Sequence, residues 1–100
     1  MPVSTVAESK SRAKRKSRSR ADLKRSLEGA LRIRFPHDTI DITDGFEGSI
    51  HVLVISRIFD RLPQRGRYAY LWKIIEKAGF SEAENDSITM VAGVSPREVL

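Results

Sequence analysis

The sequence has no cysteine. Disulfides, thiolate zinc sites and cysteine nucleophiles are therefore excluded, and the absence fits a reducing, cytoplasmic setting. Long apolar runs are also missing. Stretches such as Val52 to Ile55 fall far short of the roughly 18 residues that a membrane-spanning helix needs. Nothing near Met1 forms the apolar core of a secretory signal, so none is expected. Histidine is nearly absent too. His37 and His51 are the only two, without ligand spacing, so neither metal nor cofactor is expected. There is no P-loop, no His-Glu-x-x-His and no Ser/His/Asp order, and the reading is of a protein that is not an enzyme. One hundred residues allow one domain with a small core.

What the chain does have is positive charge, unevenly placed. Its formal net charge is +5. Residues 1–26 hold nine basic and two acidic side chains, a balance of +7, whereas residues 27–100 hold nine and eleven, a balance of −2. Ser9 to Arg20 contains only Ser, Ala, Lys and Arg. Such a segment cannot bury enough surface to offset its ordering entropy, so residues 1–20 read as a disordered basic tail. It could serve as a solvated tail, a contact for nucleic acid or another anionic surface, or a targeting segment.

Residues 21–100 read as one folded unit. Leu23, Leu27, Ala30 and Leu31 share a helical face, and the spacing predicts a helix over 21–33, capped by Ser19 or Asp22 and ended before Pro36. Ile40 and Ile42 alternate with polar residues in a half-buried strand. Asp44 to Gly48 is a turn, and Ile50 to Ser56 is a strong strand apolar on both faces, which places it centrally or against a partner. A second helix is expected from Pro63, taken as a first-turn residue, to Gly79, with Arg67 (through its stem), Tyr70, Leu71, Ile74, Ile75 and Ala78 as its apolar stripe. Residues 81–86 read as a polar link. Ser87 to Ala92 is a third strand with Ile88, Met90 and Ala92 facing one way, and Ser95-Pro96-Arg97-Glu98 starts a last helical turn. The fold class is α+β, in the order α-β-β-α-β: an antiparallel hairpin, then a crossover to a parallel third strand, giving a three-stranded mixed sheet with helices on one face.

Three segments carry a family resemblance. Ser56-Arg57-Ile58-Phe59 matches a Ser-x-x-Phe closing the second strand. Gln64-Arg65-Gly66-Arg67-Tyr68-Ala69-Tyr70 looks like an Arg-His-Arg helix entry with a tyrosine following. Ser95-Pro96-Arg97-Glu98-Val99 is similar to a Thr-Pro-x-Glu-Trp after the last strand. Together with the element order they resemble the BolA family over residues 21–99. That resemblance implies a KH-like α+β fold and a regulatory or adaptor role. It also implies a monothiol glutaredoxin as protein partner, with which the family shares an iron–sulfur cluster through the central histidine of Arg-His-Arg. Gly66 stands there in this chain and has no donor atom. The loop between the first two strands, the family's second ligand position, has neither His nor Cys, so cluster ligation in the family manner is not expected.

Other patterns have plainer readings. Gly45-Phe46-Glu47-Gly48 has the form of a GxxG phosphate clamp, but it links two strands and is flanked by acids, so it reads as a hairpin turn. Asp41, Asp44 and Glu47 read as solvated turn residues. Tyr68 and Trp72 could stack on bases or rim the core. Lys14, Arg15 and Lys16 in the tail, with Arg57, Arg61, Arg65, Arg67 and Lys73 around the second helix entry, form the expected phosphate-binding set for DNA or RNA.

Overall fold

The computed structural model describes residues 19–99. Residues 1–18 of the expected tail, Lys14, Arg15 and Lys16 among them, lie outside the described residues, whereas its last two, Ser19 and Arg20, open the first helix.

Helix α1 spans Arg20–Arg34. Ser19 caps it, its Oγ accepting from the Asp22 amide at 3.1 Å. Leu23, Leu27 and Leu31, one helical row, are buried. The exit through Pro36 is held by Arg32, whose guanidinium donates to the carbonyls of Phe35 at 3.2 Å and Asp38 at 2.7 Å. Strands β1 (Thr39–Asp44) and β2 (Ile50–Ile55) pair antiparallel, from Thr39 opposite Ile55 to Asp44 opposite Ile50. Their link closes with the Gly45 amide on the Ser49 carbonyl at 2.8 Å. Glu47 and Gly48 both take positive φ, 53° and 80°, and glycine makes the second of these inexpensive.

A 3-10 turn, Arg57–Arg61, leads to helix α2, Gln64–Lys77. Pro63 sits one residue earlier than expected, as the N-cap rather than a first-turn residue. Gly79, at φ 80°, ends the helix as anticipated. Residues 81–86 differ from the expected link. Glu82–Ser87 form a short helix, α3, fastened by a capping box in which the Glu84 amide donates to Ser81 Oγ and the Ser81 amide donates to Glu84 Oε1. Strand β3, Ile88–Val94, follows, and a 3-10 turn, Pro96–Glu98, closes the described chain.

The sheet order is β1-β2-β3, with β3 parallel to the central β2. The α+β architecture with a three-stranded mixed sheet is therefore as the sequence indicates, with one extra helix. The face of β3 is not. A bulge falls where Ile50 pairs with Ile88 but His51 pairs with Met90. The extra residue, Thr89, reverses the alternation, so Ile88, Val91 and Gly93 point into the core while Met90 lies exposed on the other side. Ile50, Val52 and Val54 join the α1 leucines, Leu71 and Ile75 of α2, Phe35 and Phe59 in one buried cluster. Each such side chain contributes about 1.5–3 kcal/mol of hydrophobic burial. The sheet's second face, with His51, Leu53 and Ile55 half-buried beside Met90, has no helix over it among the described residues.

Candidate nucleic-acid interface

The segments bearing the family resemblance meet at one side chain. Arg67 is only 5% exposed and reaches in from the first turn of α2. Its Nε donates to the Leu62 carbonyl at 2.7 Å and its Nη2 to the Phe59 carbonyl at 2.8 Å. Its Nη1 donates to the Gly93 carbonyl at 3.1 Å, and both Nη atoms fork onto the Glu98 carboxylate at 2.7 and 3.0 Å. One guanidinium thus ties together the Arg57–Arg61 turn, the end of β3 and the Pro96–Glu98 turn. Buried charge is costly unless paired and fully hydrogen-bonded, and this one is both.

Local sequence supports the same junction. Ser56 Oγ accepts from the Ile58 amide and caps the first turn, while its own amide donates to Val94 at the end of β3. Phe59 drops into the core against Phe35 and Tyr70, with ring centroids at 5.9 and 6.3 Å. Gly93 leaves room for it. A Cβ at that position would lie 2.9 Å from the Phe59 ring. Ser95 opens a second capping box with Glu98, and its hydroxyl donates to the Asp60 carboxylate. The fork from Arg67 and the Ser95 amide hold the Glu98 carboxyl down at about 2, against an ordinary 4.5, and Arg67 is itself pushed up.

Arg67 therefore leaves the expected phosphate-binding set, because its donors are spent inside the fold. The hub instead presents other cations. Arg57, Arg61 and Arg65 are exposed on consecutive turns around it, and none is within ion-pair distance of a carboxylate among the described residues. Arg97, which the sequence reading passed over, lines one shallow pocket with Arg57, Asp60 and Pro96. Only the parallel β2–β3 pairing brings these two turns together, so spacing along the chain carried no signal for it. Arg65 lines the neighbouring pocket with Pro63, Gly66 and Ala69. No side chain caps the start of α2 there, so its first amides face outward. Lys73 stands apart, about 12 Å further along the helix axis, where it faces α1.

The remaining candidates lie around and beyond this junction. Tyr68, 54% exposed, meets the half-buried Trp72 edge-on at 6.2 Å. Asp44 pairs with Lys24 at 3.1 Å and Arg20 at 3.6 Å, and the Lys24 hydrogen bond lowers its carboxyl. The His51 ring lies over Gly45. No group of three His, Cys, Asp or Glu side chains is placed to hold a metal, and no helix is long and apolar enough to cross a membrane, among the described residues. Comparison with family models, with characterised proteins and with solved structures finds no match.

Proposed function

We propose that the protein is a BolA-like regulatory or adaptor protein that binds nucleic acid through its basic N-terminal segment together with Arg57, Arg61 and Arg65. The observation that carries this reading is the crowding of exposed arginines, none in an ion pair among the described residues although Asp60 lies beside Arg57, around one junction next to an uncapped helix start. Guanidinium groups and outward backbone amides suit phosphate. Contacts of these groups to backbone phosphates would position the protein without reading sequence. Exposed Tyr68, one turn along α2, is the nearest stacking platform. Titration of fluorescent single- and double-stranded DNA and RNA with the full chain, and with the Arg57→Ala/Arg61→Ala/Arg65→Ala variant, tests it. The variant is expected to bind at least about tenfold more weakly at low salt. Absence of binding by the full chain at low salt overturns the reading.

A second reading rests on the uncovered sheet face. Met90 is 42% exposed there, beside half-buried Leu53, Ile55 and Ala92. An apolar face of this kind supports a protein partner, and the resemblance to the BolA family makes a monothiol glutaredoxin the one to try. Co-purification should survive removal of residues 1–18 and be lost in Leu53→Lys. A coloured, cluster-bridged complex would contradict the inference drawn from Gly66.

A further inference from the structure

A second surface lies away from the arginine junction, between the C-terminal halves of α1 and α2. It is an open-sided groove of about 340 Å³. Half-buried Tyr70 and Ile74 and exposed Ile33 supply much of its apolar lining, and Arg34, Lys73 and Lys77 line it too. Ile33 is 85% exposed, the most exposed large apolar side chain among the described residues, and it contributes nothing to the core. Arg34 is fixed in place. Its Nε donates to the Tyr70 hydroxyl at 2.6 Å, and its guanidinium lies 5.5 Å from the Tyr70 ring centroid. None of the three cations has a carboxylate within ion-pair distance among the described residues. Lys77 is about 18 Å along the helix axis from Arg65, so the groove is separate from the junction.

We infer that this groove docks an acidic amphipathic helix of a partner protein. Two helices with an apolar furrow between them present the shape that a third helix fills, anchored by apolar residues at i, i+3 and i+7. The three cations require those anchors to be flanked by Asp or Glu. A nucleic acid would find no aromatic face exposed for stacking here, since the Tyr70 ring is held between Arg34 and the two phenylalanines. The inference is independent of the nucleic-acid reading and survives if that reading fails.

The test uses the full chain, with isotope-labelled isoleucine methyls, and a synthetic helical peptide about four turns long with leucine anchors flanked by glutamate. Binding should shift the Ile33 and Ile74 methyls. Ile33→Asp should weaken it about tenfold or more, as should Lys73→Glu/Lys77→Glu. The charge-reversed variant should recover tight binding to the same peptide with lysine in place of glutamate. Both variants alter exposed side chains, and circular dichroism verifies their fold. The proposal is overturned if the lysine peptide binds the unmodified protein as tightly as the glutamate peptide, if Ile33→Asp changes nothing, or if the shift falls instead on the Ile55 methyl of the uncovered sheet face. Ile33-dependent binding to phosphatidylglycerol vesicles without peptide binding would assign the groove to membranes and overturn it equally.

Discussion

Arg67 shows how one side chain can be placed by local pattern and given its role by the fold. Its position on the buried stripe of α2 is legible from spacing, and a buried stem is what the structure contains. Its partners are not legible. The Leu62 and Phe59 carbonyls come from the turn just before α2, but Glu98 lies 31 residues away, and it and the Gly93 carbonyl are brought to Arg67 only when β3 pairs with β2. A long basic side chain near other arginines therefore reads as surface charge until the sheet is known. The fork has a pH signature. The folded chain keeps Glu98 ionised down to about 2, whereas the unfolded chain takes up the proton near 4.5. The stabilisation is thus complete above the higher value and lost as the pH falls toward the lower one. Glu98→Gln should lower the thermal midpoint at neutral pH, and its deficit relative to the unmodified protein should shrink between about pH 5 and pH 2. Melting curves across that range check it; a deficit constant with pH would refute the account.

Elements with a strong apolar period were legible to within a residue or two, and those governed by pairing or capping were not. The leucine row of α1 and the two-faced β2 follow directly from sequence. Helix α3 was missed because it has no apolar stripe, although Ser81 and Glu84 carry the spacing of a capping box. The inward face of β3 was misassigned because a bulge is a property of two strands, and Thr89 shows nothing unusual by itself. Within α1, Gly29 is mid-helix with open space where a Cβ would go. Gly29→Ala should raise unfolding stability by about 0.5–1 kcal/mol. Urea denaturation measures the gain, and a loss of stability would mean that this stretch of α1 is not helical in solution.

At the scale of the molecule, charge and fold are separated. Residues 1–18 hold six basic side chains and one acidic, while residues 19–100 hold twelve of each. The whole net charge therefore belongs to the first 18 residues, and the arginine junction is a local excess on a balanced domain. Salt dependence should divide accordingly. If all six basic residues of that segment meet phosphates, its removal should reduce the slope of log affinity against log salt by about 5. Replacing Arg57, Arg61 and Arg65 together should reduce it by about 3. Titrations at four or more salt concentrations with both variants measure this. Equal slopes in all three proteins would remove nucleic acid from consideration as the electrostatic partner.

The Tyr68–Trp72 pair supplies an optical handle. Trp72 is the chain's single tryptophan, half-buried on α2, with an indole N–H that has no acceptor among the described residues. At 6.2 Å, Tyr68 lies close enough to pass its excitation energy to that indole. Emission from this chain thus arises at one known site on the helix that both proposed surfaces share. A ligand stacking on Tyr68 should dim it, while a helix seated against Lys73 and Tyr70 should leave the transfer from Tyr68 intact.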